Sequence, residues 1–176
     1  IITYHENGCI KYEERHMNRK KHNHGDKPAI IEYFQNGKIK HEEWYENDEM
    51  YRDNENNLPV WIHYYESGVL QSEKWFQKEY KNSPQSIEYY ENGMISYSVI
   101  KDSIRNTTTR TSYFKTGMLH IIDFSQKIGL FFFDKNSIRF EYDENGIKIK
   151  ETHYNEFRSI KIILFSSKGN KTEEQC

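Results

Sequence analysis

Ile31-Glu32-Tyr33-Phe34-Gln35-Asn36-Gly37-Lys38-Ile39, followed by Trp44-Tyr45, joins an alternating run to a turn signal and a second apolar position two residues past the turn. The pattern recurs along the chain. Turn glycines fall at Gly8, Gly37, Gly68, Gly93, Gly117, Gly146 and Gly169, so seven of the nine glycines occupy one role. Four residues before each stands an aromatic: Tyr4, Tyr33, Tyr64, Tyr89, Tyr113, Tyr142 and Phe165. Six before stand Ile2, Ile31, Ile62, Ile87, Thr111, Phe140 and Ile163, mostly β-branched. Nine before stand Pro28, Pro59 and Pro84, all the prolines of the chain. Spacings of 29, 31, 25, 24, 29 and 23 residues are those of stacked supersecondary units.

The two-residue alternation of Ala29, Ile31 and Tyr33 against Ile30, Glu32 and Phe34 predicts a strand with both faces partly covered. Gln35-Asn36-Gly37 and Glu91-Asn92-Gly93 predict three-residue hairpin loops with glycine in the left-handed position, which sets Ile39 opposite Tyr33. A two-residue Asn-Gly turn would instead set Ile39 opposite Phe34, on the other face. Trp44, Trp75, Ile100 and Phe124, seven past the glycine, have the opposite parity to the residue two past it. Either the return strand carries a bulge or the sheet buries residues on both faces.

Composition sets the limits. Only 35% of the 176 residues are hydrophobic and mean hydropathy is -1.00, but aromatics make 15% and recur at fixed offsets, so the predicted core is aromatic. Net charge is -2, which provides no field for nucleic acid. No run approaches the roughly 18 apolar residues of a membrane span, and a signal-peptide core is missing. The expectation is a soluble cytoplasmic protein or part of a viral particle; the first residue is Ile, so an earlier segment is not excluded. Cys9 and Cys176 lie in the first and last units, and a linear array keeps them apart.

Reading along the chain gives regular units over 1–100, degenerate units over 101–169 and a polar, mobile tail over 170–176, all one array. Arg15 to Lys27 reads as a polar connection, Lys101 to Thr109 as a weaker linker, and Leu130-Phe131-Phe132-Phe133 as a buried strand between units. The units IEYFQNGKIKHEEWY, IHYYESGVLQSEKWF and IEYYENGMISYSVI resemble the tyrosine-rich, Asn-Gly-turn variant of the MORN repeat, strongly over 28–100 and weakly from 120 onward. The resemblance implies an all-β fold, an elongated single-layer antiparallel sheet of about seven successive hairpins, without intrinsic catalysis. It also implies an interaction module for proteins or lipid headgroups, an antitoxin-like protein, or a repeat protein of a large DNA virus. Units six and seven depart from it in carrying Lys148 and Lys171 where the others have Ile or Leu.

Chemistry-bearing residues do not assemble into a catalytic pattern. His16, His22 and His24 lie close in sequence without a second ligand pair, so solvated loop histidines are the better reading than a metal site. Glu42, Glu43, Glu46, Asp48 and Glu49 recur on the repeat surface without a setting that separates two carboxylate pKa values. No nucleophile sits in a recognisable elbow. Arg15, Arg19, Lys20 and Lys21 offer about 1 kcal/mol each toward an anionic surface, a weak and salt-sensitive attachment. Catalytic residues, cofactor and small-molecule substrate are therefore not expected. Trp61, Tyr65, Trp75 and Tyr90 form the candidate interaction surface, being residue types enriched at binding hot spots. The leading reading is a noncatalytic structural or protein-binding element, such as a scaffold component of a viral particle; the alternative is an antitoxin-like protein that covers a toxin.

Overall fold

The computed structural model describes residues 1–23, 27–52, 58–75, 83–102, 104–127, 134–155 and 158–175. Among them there is no helix. Fourteen strands follow one another in sequence order in a single open antiparallel sheet, as seven hairpins require, and two further strand pairs form small sheets of their own.

The turn is the three-residue loop. Gly37 N donates to Phe34 O at 3.0 Å, Phe34 N donates to Lys38 O at 2.9 Å, and Gly37 has φ +80°. Tyr33 consequently faces Ile39. The next pair is Glu32 with His41, so Lys40 is an extra residue in the return strand. This bulge resolves the parity conflict: it brings Ile39, Glu42 and Trp44 to one face although 39 and 44 differ in parity. Equivalent shifts occur at Thr3/Tyr4, Leu70/Ser72, Ser112/Tyr113, Glu141/Tyr142 and Leu164/Phe165.

The described chain divides into two compact units, the first comprising Ile1–Lys78 with Glu88–Gly93. Its strands include Ile2–Tyr4, Ile10–Glu14, Ile30–Tyr33, Ile39–Glu43, Trp61–Tyr64 and Leu70–Lys74. Cross-strand pairing puts Ile31, Glu42, Ile62 and Glu73 in one row. Ala29, Ile31, Trp44, Val60, Ile62 and Trp75 form the core, with Val60 1% and Trp44 4% exposed. Three half-buried tyrosines there each meet a carboxylate of the preceding hairpin. Tyr33 donates its hydroxyl to Glu13 (3.1 Å), Tyr64 to Glu42 (2.9 Å) and Tyr89 to Glu73 (2.8 Å). The tyrosines thereby bury a ring and satisfy a polar end in one contact. Glu42 is thus not a plain surface carboxylate but the acceptor of a core hydrogen bond.

A second ladder runs along the turns. Asn7 Nδ2 donates to Gln35 O (3.0 Å) and Asn36 Nδ2 to Glu66 O (3.3 Å), while the Tyr65 hydroxyl donates to Tyr89 O (2.7 Å). The Asn before glycine therefore ties one turn to the next, and within each of these loops it is the glycine that takes the left-handed backbone.

The region from Arg15 to Lys27 differs from the polar connection expected. His16–Met17 and Lys20–Lys21 pair as a short hairpin across Asn18 (φ 51°) and Arg19 (φ 65°). Tyr45–Glu46 and Glu49–Met50 do the same across Asn47 (φ 53°) and Asp48 (φ 71°). Two successive left-handed residues define the type I′ turn, which asparagine tolerates best among non-glycine residues. The chain leaves the main sheet at a corner residue: Trp44 N donates to Val60 O (3.0 Å) and Trp44 O accepts from Tyr51 N (3.1 Å). The Arg52 guanidinium covers the Trp44 ring at 4.0 Å and donates to Pro59 O at 3.0 Å. The side hairpins are joined in turn, with Asp48 N donating to Lys21 O (3.0 Å) and Lys21 N to Asp48 Oδ1 (2.7 Å).

The second unit comprises Glu79–Ile87 with Met94–Cys176. Its strands are longer: Ile95–Asp102, Thr107–Tyr113, Leu119–Lys127, Asp134–Tyr142, Lys148–Asn155 and Arg158–Phe165, then Lys171–Gln175. The expected linker Lys101 to Thr109 is instead continuous strand around a tight turn. Asp102 accepts there from Ile104 N (2.9 Å) and Arg105 N (3.0 Å), and Asn106 takes φ 53°. The expected mobile tail likewise pairs as a strand, with Leu164 opposite Glu173 and Ile163 opposite Glu174. Leu130-Phe131-Phe132-Phe133 lies outside the described residues.

Tyr–Glu rungs give way in this unit to Ser98 opposite Thr111, both buried, and to Arg139 held on Asp123 at 2.7 and 3.1 Å. One face carries Ile100, Phe124 and Ile138, the first two 41% and 42% exposed. Lys148, at the departing position, lies over the Phe165 ring at 4.3 Å and donates to Glu151 at 2.9 Å, so the cation is carried by its stem.

Candidate interaction surface

Opposite the core face of the first unit, the pleat sets two rows of side chains. One is Tyr12, Glu32, His41 and His63; the other is Glu14, Ile30, Glu43 and Trp61, with Lys74 beyond. Strand alternation alone produces this: residues that flank Ile31, Glu42 and Ile62 must point away from them. The sidewise neighbours then meet. The Trp61 ring stacks on His63 (centroids 5.6 Å, planes 23° apart) and takes His41 edge-on at 5.0 Å. Lys74 Nζ lies 4.3 Å above the same indole.

Charge is arranged around this aromatic centre. His41 Nε2 lies 3.0 Å from Glu43 Oε1, and this contact holds the Glu43 carboxyl below the usual range despite partial burial. Burial pushes the His63 imidazole down, so His63 prefers the neutral form; its Nδ1 meets Gln71 Oε1 at 2.8 Å. The Tyr45 hydroxyl is pushed up to about 12, first by burial and then by Glu43. At the turn end of the same face a hollow of about 510 Å3, open to solvent, is lined by His5, Tyr12, Phe34 and the Lys40–Glu32 pair at 3.2 Å.

The four residues singled out from sequence separate. Trp61 is half-buried at the centre of this face. Tyr65 and Tyr90, one residue after the rung tyrosines, are half-buried, and the Tyr65 hydroxyl is engaged with Tyr89 O. Trp75 is 8% exposed and belongs to the core with Trp44. His41, His63 and Lys74 were not singled out as a group. Their common signal is position: His41 stands four and Lys74 six past a turn glycine, His63 five before one, and the bulge puts them on one side.

Among the described residues, no group of three or more His, Cys, Asp or Glu is placed to hold a metal ion. His41 and His63 contact aromatic rings, the Glu43 carboxylate and the Gln71 amide, and Cys9 is exposed in a turn. The arrangement presents a half-buried indole braced by two imidazoles, with an exposed lysine above it and carboxylates beside it. Residues 60–82, which contain Trp61, His63 and Lys74, match the family model of the MORN repeat variant. Repeats of this kind act generally as noncatalytic modules for protein or membrane interaction. No curated protein matches the chain.

Proposed function

We propose that this chain, whose third hairpin is a MORN repeat variant, is a noncatalytic protein-binding element that engages its partner across the Trp61 face and serves as a component of a larger assembly. The observation that carries this is the fixation of Trp61. An indole braced by His63, His41 and Lys74 and only partly exposed loses little rotamer freedom on binding, which is the economy of a hot-spot anchor. The formal net charge of -2 and the mixed signs around Trp61 favour a protein partner over an anionic membrane.

A photo-crosslinking residue at position 61 tests this in lysate of the source cell, with position 145, in an exposed turn of the second unit, as the comparison. A partner crosslinked from 61 and not from 145, in a multi-copy complex, supports the reading. Trp61→Ala should weaken that complex about tenfold or more, equivalent to about 1.4 kcal/mol. A one-to-one complex with a small toxin enzyme would turn the assignment to the antitoxin-like alternative, and no crosslink from 61 would remove the face from consideration.

A further inference from the structure

Four of the turn glycines follow asparagine, in Asn7-Gly8, Asn36-Gly37, Asn92-Gly93 and Asn145-Gly146. In such a pair the backbone nitrogen of glycine has the easiest approach to the side-chain amide before it, because no Cβ bars the way. The four loops share their backbone. Each glycine has φ between +78° and +83° and donates its N–H to the carbonyl three residues before it, at 2.9 or 3.0 Å. The asparagine side chains set the loops apart. Asn7 is held at both ends of its amide, accepting from Cys9 N (3.1 Å) and donating to Gln35 O (3.0 Å). Asn36 is held in the same way by Lys38 N (2.9 Å) and Glu66 O (3.3 Å), and Asn92 also has a partner. In the sixth hairpin the N–H two past asparagine, that of Ile147, goes instead to Asp143 Oδ1 (2.9 Å), which also accepts from Asn145 N (2.9 Å). One residue causes the change. Three before the glycine the first five hairpins carry a ring, His5, Phe34, Tyr65, Tyr90 or Phe114, whereas the sixth carries an acceptor that folds back on its own loop. The Asn145 side chain is left exposed and makes no hydrogen bond among the described residues.

We propose that Asn145-Gly146 is a site of spontaneous deamidation in the folded protein, and that the same reaction is held back at Asn7 and Asn36 by the bonds that tie turn to turn. The Gly146 nitrogen attacks Asn145 Cγ and a C–N bond forms. The proton of that nitrogen passes through solvent to the side-chain nitrogen, which leaves as ammonia. Water then opens the succinimide, at the side-chain carbonyl to aspartate or at the backbone carbonyl to isoaspartate. Water is the only co-reactant, and nothing is oxidised or reduced. At Asn7 and Asn36 the amide must first give up two hydrogen bonds to turn its carbon toward the glycine; at Asn145 it gives up none. Each glycine must release the same N–H bond, so that cost cancels between loops. Two bonds of ordinary net strength predict a rate ratio of about tenfold or more. The product places a new carboxylate beside Glu144, and isoaspartate lengthens the loop that joins Asp134–Tyr142 to Lys148–Asn155. The site lies in a turn of the second unit, so it stands apart from the binding role proposed above.

Peptide mapping by mass spectrometry of the full chain during incubation at neutral pH, with enzymatic methylation to mark isoaspartate, tests the site. Conversion at Asn145 is expected to run about tenfold or more ahead of conversion at Asn7 and Asn36. In concentrated urea the three rates should converge, because the same dipeptide then stands in an unfolded chain. Asp143→Phe restores the ring of the other loops and returns the Ile147 N–H to the Asn145 amide, so conversion there should slow several-fold in a variant whose near-ultraviolet dichroism shows it folded. Equal rates in the folded chain, Asn7 or Asn36 converting first, a ratio that survives urea, or a folded Asp143→Phe variant that is not slowed would each overturn the proposal.

Discussion

The two units use the same hairpin and secure it differently. In the first, strands of three to five residues end at corner residues, where Trp44 and Trp75 fill the core and a Tyr–Glu rung links each hairpin to the one before. In the second, strands of seven to nine residues before the final five-residue one carry the contact through long ladders, and where the rung carboxylate stood there is Ser98 or Ile122, or Glu151 with no tyrosine to meet it because Phe165 stands at that position. The position held by Trp44 is Ile100 and Phe124 there, both more than two-fifths exposed. A short strand needs a strong side-chain lock; a long one gains enough from its backbone to leave the equivalent side chains at the surface. Sequence regularity thus tracks dependence on side chains, and the degenerate units are those in which the ladder does more.

The contrast is broken most severely at the corner. Trp44→Ala should cost about 3–5 kcal/mol and release the 45–50 hairpin, whereas Phe124→Ala, at the same repeat position but 42% exposed, should cost under about 1 kcal/mol. Urea melts of the two variants check this directly; equal losses would mean that exposure does not separate the units. The turns come next. A Cβ on Gly117 would collide with the Met94 methyl group in addition to the strain of φ +84°, while one on Gly37, at φ +80°, would meet nothing within 4 Å. Because the Met94 methyl is the far end of an exposed, flexible side chain and can swing aside, Gly117→Ala should cost only a few tenths of a kcal/mol more than Gly37→Ala, which should cost about 1 kcal/mol, and Met94→Ala should remove that excess. A double-mutant cycle reads the coupling between the turns.

The rungs are the third test. Glu42→Ala leaves the Tyr64 hydroxyl without its acceptor and should cost about 1–2 kcal/mol, whereas replacing Glu42 and Tyr64 together by Gln and Phe should cost less than the single change. The smallest effect is one of pH. Burial, aided by Glu42 and Glu73, pushes the hydroxyls of Tyr64 and Tyr89 above their ordinary value near 10, and burial with Glu43 takes Tyr45 to about 12. Each raised value means that the unfolded chain loses its proton first. The stabilisation is whole below pH 10 and falls as pH rises beyond it. Alkaline titration followed by tyrosinate absorbance should show late ionisation, lost in denaturant; first-unit tyrosines that ionise at about 10 in the native state would mean that the rungs do not hold the hydroxyl proton.

Sequence revealed what repeats and concealed what depends on pairing. The Gly and Tyr columns, the three-residue loop and the opposition of Tyr33 and Ile39 were all readable, because each follows from a local backbone demand. The bulge at Lys40 was visible only as a parity conflict. The side hairpins were missed because Asn18-Arg19 and Asn47-Asp48 turn without glycine. Glu42 read as a solvated carboxylate because its partner, Tyr64, lies a whole hairpin away. Trp61 and Trp75 could not be told apart as surface and core until the bulge fixed which side each faced.

The row that runs from one hairpin into the next also governs how such a chain can change length. Pairing of the fifth residue past one glycine with the sixth before the next is kept although the spacing between glycines runs from 23 to 31 residues. In the first unit the surplus is housed in excursions such as 45–50, outside the ladder. Duplication of a complete hairpin, or growth of an excursion, therefore leaves every later side chain on its proper face, whereas deletion of one strand residue inverts the sidedness of that strand. Evolution of this architecture is free in whole modules and in detours, and nearly closed to single steps within the strands themselves.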